Sequence, residues 1–112
     1  MNRFKFGNIQ LDPWALGNLA PRNTGVDAVI WVSTSQNFPK PFILVGNDSD
    51  SLSLVAIGNP PILLCHKSKT AIPPNLWSQL VTWINLNFKG LLLLWNDEIS
   101  TADFVLNYLQ KI

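Results

Sequence analysis

Charge is scarce in this sequence. Lys, Arg, Asp and Glu make up 13% of its 112 residues, about half the share usual in globular domains. Eight basic and seven acidic residues leave a net charge of +1. No run of Lys or Arg would neutralise several adjacent phosphates, so a dedicated nucleic-acid binder is not signalled. A single cysteine, Cys65, and a single histidine, His66, exclude an internal disulfide and any Cys/His set with zinc spacing. No stretch approaches the ~18 apolar residues that cross a bilayer. Residues 1–8 lack the apolar core and small-residue cleavage site of a signal peptide. The expectation is therefore a protein of the reducing cytoplasm with no membrane partner. Asn47-Asp48-Ser49 matches a glycosylation sequon, which means nothing without secretion.

What is present is apolar. Hydrophobic residues are 47% of the chain and five are tryptophans, Trp14, Trp31, Trp77, Trp83 and Trp95. One domain spanning 1–112 with an ample core is the natural expectation. So little charge also leaves apolar surface exposed unless a partner covers it, and aromatic anchors are enriched at interfaces. An aromatic core accounts for the tryptophans equally simply.

Residues 3–12 read as a hairpin around Gly7-Asn8, a good two-residue turn. Pairing across it sets Phe6 opposite Ile9, Lys5 opposite Gln10 and Phe4 opposite Leu11, which gathers the apolar residues on one face. Residues 12–26 hold Pro, Gly and Asn without a sustained period. A stretch this long without structure is uncommon in a compact domain and often functional. A helical turn over 13–17 fits Asp12 as N-cap and Pro13 at N1. Residues 28–33, with Ala28-Val29-Ile30-Trp31-Val32 apolar on both faces, predict a central strand. Residues 42–65 alternate apolar runs with turns at 46–51 and 58–61 and predict a three-stranded antiparallel meander.

From residue 75 the period changes. Trp77, Leu80, Val81, Ile84, Phe88, Leu91, Leu92 and Trp95 recur at helical spacing opposite Ser78, Thr82, Asn85, Lys89 and Asn96, and Pro74 suits a helix start. The run after Gly90 reads equally as a buried strand, but four leucines without a β-branched residue favour one helix over 75–96. A second helix over 100–111 starts at Ser100 as N-cap with Asp103 in its first turn. Its expected apolar face is Ala102, Val105, Leu106, Leu109 and Ile112. The fold class is thus α+β, a β-rich N-terminal two-thirds packed on two C-terminal helices. Trp83-Ile84-Asn85-Leu86-Asn87, then Leu91-Leu92, Trp95, Glu98-Ile99 and Thr101 resemble the C-terminal tail of certain small uncharacterised bacterial proteins. There a W-I-x-L-N segment runs into L-L-x-x-W and E-I-x-T within a helical hairpin. The resemblance covers about a third of the chain and implies a helical hairpin but no activity. Phe88 and Lys89 stand where those relatives often carry a charge after the Asn.

No grouping of residues forms a reaction centre. Cys65 and His66 are neighbours on an expected strand and point to opposite faces, poor geometry for a nucleophile and its base. Asp48 and Asp50 begin a calcium-loop spacing that fails at Ser53 and Asn59. Asp97-Glu98 would suit a cation but more simply solvates a loop. If residues 90–95 were a strand, the order β-β-β-α-β would resemble the core of PD-(D/E)XK nucleases. That family holds Mg²⁺ with an acid on the second strand and an acid-x-Lys on the third. Here Ser53 stands at the first position and Cys65-His66-Lys67 keeps only the lysine, so such a fold would be degenerate. The expectation is no catalysis, no cofactor and no metal.

Two functions remain. One is a protein-interaction module, a homo-oligomer in its simplest form, with Leu86, Leu93 and Leu94 outside the helix's main apolar stripe and Trp14 and Arg22 in the irregular stretch as interface residues. Arg22 would otherwise pair with Asp27 or a neighbouring carbonyl. The other is a nucleic-acid-associated regulator of a small bacterial operon, with Arg3, Lys5, Arg22 and Lys40 beside Phe38.

Overall fold

A computed structural model describes residues 5–6, 9–10, 16–34, 40–47, 51–66 and 72–112. The expected α+β architecture is present, with a five-stranded antiparallel sheet followed by C-terminal helices. The N-terminal hairpin has the expected register: β1 (Lys5–Phe6) pairs with β2 (Ile9–Gln10), Lys5 opposite Gln10 and Phe6 opposite Ile9. Phe4, Gly7, Asn8 and Leu11 lie outside the described residues.

The sheet runs in sequence order, β3 (Leu16–Leu19), β4 (Ile30–Ser33), β5 (Phe42–Val45), β6 (Ser53–Ala56) and β7 (Ile62–His66). β5 to β7 are the meander expected over 42–65. The strand expected over 28–33 starts at Ile30. β3 corrects the sequence reading, because Leu16 and Gly17 are extended where a helical turn over 13–17 was expected, and Leu16 to Leu19 pair with Ser33 to Ile30. A second element in the same irregular stretch is α1 (Pro21–Thr24). Proline occupies its first turn, and Gly25 closes it at φ 83° by donating its N–H to the Pro21 carbonyl. Proline at the start and glycine just past the end is the usual asymmetry of a helix.

Gly25 is also held by what lies against it. A Cβ there would collide with the Ile112 carbonyl oxygen, and Ile112 donates its N–H to the Thr24 carbonyl at 2.9 Å. Gly25→Ala is expected to lose about 1–2 kcal/mol from the left-handed backbone alone, plus whatever it costs to displace Ile112. A urea melt beside the native chain measures the loss; an unchanged midpoint would contradict the packing.

Residues directly opposite on paired strands share a face. Ile30 with Val45 and Ile43 with Val55 therefore point together. They join Val32 and Ile57 in a core with Leu80, Trp83, Ile84, Leu91 and Leu94 of the long helix α2 (Pro74–Trp95) and with Phe104. Phe42 and Ala56, Leu44 and Leu54 occupy the other face and are buried as well. Two-sided burial thus falls on β5 and β6, while Trp31 of β4 is half-buried. Phe42 meets Trp95 edge to face, ring centroids 5.0 Å apart, a favoured aromatic geometry.

α2 spans residues 74–95, so 90–95 are helix and the nuclease-like order β-β-β-α-β does not form. Gly90 sits inside the helix because Phe104 and Tyr108 pack over it; a Cβ there would stand 3.0 Å from the Phe104 ring and 3.1 Å from Tyr108 Cβ. Asp97, at φ 61°, ends the helix. Glu98 donates its N–H to the Leu93 carbonyl and Asp97 to that of Leu94, the paired bonds of a Schellman cap. This gives Asp97-Glu98 a structural role.

The last segment differs from the helix expected over 100–111. Ser100 does cap it, accepting from the Asp103 N–H at 3.0 Å. α3 (Thr101–Asp103) then passes into a π-helical turn, Phe104–Tyr108, closed by Leu109 N–H to the Phe104 carbonyl at 2.8 Å. Phe104 is the buried residue, and Ala102, Val105, Leu106 and Ile112 are exposed. The expected apolar face therefore points largely outward; of its five members only Leu109 packs against the core.

Candidate functional site

Two surfaces stand out among the described residues. The first is the outer side of the C-terminal segment. Leu106 is 79% exposed, and Val105, Tyr108 and Ile112 are each more than a third exposed. Tyr108 crosses α2 at Gly90. Leu86, 43% exposed, lies one helical turn before Gly90 on the same helix, so it flanks that crossing.

Asn87 fixes the segment on α2. Its side-chain amide donates to the Gln110 carbonyl at 2.9 Å and accepts from the Gln110 N–H at 2.7 Å, as a neighbouring strand would. Its Nδ2 also donates to the Trp83 carbonyl at 2.9 Å. With Ile112 tied to Thr24, the segment is held at both α2 and α1. The outward leucine and valine are therefore fixed in place.

Of the five residues singled out in the sequence, Leu86 belongs to this surface and Leu93 is half-buried. Leu94 is a correction: it is fully buried in the core beneath the sheet, because two-sided contact with sheet and C-terminal segment widens the buried arc of α2. Arg22 stands exposed on α1, and Trp14 lies outside the described residues. Asp27 does not pair with Arg22. It pairs with Gln79, its N–H donating to Oε1 at 2.9 Å and its Oδ2 accepting from Nε2 at 3.1 Å. Lys40 is exposed, while Arg3, Phe38 and the Lys5 side chain lie outside the described residues.

Sequence reasoning missed Val105, Leu106 and Tyr108 as surface. The aromatic ring at Phe104 was the available signal, since a wholly apolar ring fills the gap left over Gly90.

The second surface is an open cavity of about 210 Å³ between the start of α2, the end of β5 and the start of β6. Asp27, Asn47 and Ser53 line its polar side, and Val45, Ile72 and Leu76 its apolar side. Asn47 is oriented by accepting the Val29 N–H at 3.2 Å. Trp31 Nε1 donates to the Gly46 carbonyl at 3.1 Å, which anchors the turn after β5.

β7 ends the sheet, with Ile62 and Leu64 exposed. The register shifts so that Leu54 faces Cys65 but Val55 faces Leu63, leaving Leu64 as the extra residue of a bulge. Bulges are one way an edge strand resists pairing with another chain, which makes this edge a weaker candidate than the C-terminal face.

Among the described residues, no three of His, Cys, Asp and Glu gather as metal ligands would, and no helix is long and apolar enough to cross a membrane. No protein-family model, curated protein or solved structure matches the chain.

Proposed function

We propose that this chain is a non-catalytic protein-interaction module that associates with itself through the outer side of its C-terminal segment. The observation that carries the reading is Leu106, a leucine 79% exposed on a segment pinned to the body by Asn87. Single exposed apolar residues are ordinary. Here Val105, Tyr108 and Leu86 accompany it on a chain with little charge, and apolar groupings of that kind mark interaction sites.

Charge favours a second copy as occupant. A net charge of +1 gives two copies almost no long-range repulsion, and surfaces near neutrality associate readily. Two-fold pairing also lets one patch serve as its own complement.

Light scattering coupled to gel filtration tests this. The native chain is expected at twice its own mass and Leu106→Asp at a single chain mass. The variant should keep its stability to within about 0.5 kcal/mol, as exposed substitutions do. A native chain that stays monomeric at high concentration rejects the reading.

A further inference from the structure

We propose that the cavity beside the start of α2 binds a small alkylammonium group, carried by a short aliphatic amine or by a lysine side chain. The inference is independent of self-association and rests on three features of the cavity.

The first is its charge. Among the described residues, Asp27 is the only ionisable one lining it. Its bonds run to Gln79, a neutral amide, so no cation among the described residues answers the carboxylate. The first turn of α2 borders the same space through Pro73 and Leu76. A helix N-terminus carries about half a positive charge, less than the full negative charge of Asp27. Among the described residues the balance therefore remains negative and favours a cation.

The second is an acceptor. Ser53 is 5% exposed and lines the cavity, and a serine hydroxyl has two lone pairs with which to accept a donor placed there. An ammonium presents three donors, enough for Asp27 and Ser53 together. Asn47 contributes a further polar group at the rim.

The third is the apolar wall. Val45, Ile72 and Leu76 face the polar side and would take a short alkyl chain out of water. At about 210 Å³ the space is smaller than the ~300–1,000 Å³ of drug-sized sites. The fit is to a few carbons, and the affinity to be expected is about millimolar. An anion would meet the Asp27 carboxylate, and a neutral alcohol would leave it unanswered.

Amide shifts on titrating the protein with n-butylamine at neutral pH test the proposal. Saturable shifts are expected at Gly46, Asn47, Ser53 and Leu76, with n-butanol and butyrate about tenfold weaker or more, because a hydrogen bond between two charged groups is stronger than one with a neutral partner. Asp27→Asn keeps an acceptor for Gln79, so it preserves the fold and should weaken binding about tenfold or more; Ser53→Ala should weaken it severalfold. A blocked lysine, acetylated and amidated, separates the sources: binding equal to butylamine points to a protein side chain, and weaker binding to a free amine. Equal responses to butylamine and butanol, an unaltered affinity in Asp27→Asn, or no saturation overturns the site.

Discussion

Trp83→Ala is expected to cost about 3–5 kcal/mol, the range for emptying a large aromatic site in a packed core. Trp83 is fully buried between α2 and the sheet, among Leu80, Ile84, Leu91 and Phe104. Neighbours in a close-packed interior relax only in part, so the loss includes the cavity left behind. Trp83→Phe separates two contributions. The indole N–H is buried and has no hydrogen-bond partner among the described residues, so the smaller ring loses packing and no hydrogen bond to them, and relieves an unpaired donor that costs free energy. Phe is therefore expected to cost about 1–2 kcal/mol, well below Ala. Urea unfolding followed by far-ultraviolet circular dichroism measures both. Equal losses for Ala and Phe would mean that the N–H is satisfied in solution and that packing is not what Trp83 supplies.

The sheet from β4 to β7 was legible because each strand is a short apolar run between turn residues, and α2 because its apolar positions recur at helical spacing over six turns. β3 was not. Leu16-Gly17-Asn18-Leu19 contains two poor strand formers and no alternation, so local propensity argues against it. It is extended because β4 offers an edge to pair with, a reason that lies outside its own residues. α1 was written in the sequence as Pro21 and Gly25, four apart, but a single turn buries too little to show a period. The strand alternative for 90–95 fails for a similarly non-local reason. Gly90 looked like a break in the helix, and it marks where Phe104 and Tyr108 come close.

The C-terminal segment shows how a pattern misleads when the backbone changes pitch. Helical spacing joined Ala102, Val105, Leu106 and Leu109 into one face. The π-helical turn closes Leu109 onto Phe104 across five residues, which shifts the phase and turns Phe104 inward. Val105 and Leu106 then face out, and a predicted core became the surface from which self-association is inferred. The cavity was illegible because its polar groups, Asp27, Asn47 and Ser53, come from three separate elements, and only the fold brings them together.

Asn87→Ala is expected to cost about 2–3 kcal/mol, from three hydrogen bonds at about 1 kcal/mol net each. The residue closes the W-I-x-L-N segment and is 3% exposed, a burial uncommon for asparagine. What keeps it there is the double bond to the Gln110 backbone and the third to the Trp83 carbonyl. Gln110 itself is exposed, so water can replace Asn87 if the segment lifts away, which caps the loss. The effect should accordingly be local as well as global. Amide hydrogen exchange at residues 109–112 is expected to rise far more than exchange in β5, because the segment opens before the sheet does. The same variant should weaken self-association, since Leu106 is then presented on a loosened arm. Asn87→Asp discriminates further: a carboxylate can still accept from the Gln110 N–H but cannot donate to either carbonyl, so it should not restore stability. If exchange at 109–112 stays at the native rate in Asn87→Ala, the arm is held by Phe104 and Ile112 alone, and the role given to Asn87 fails.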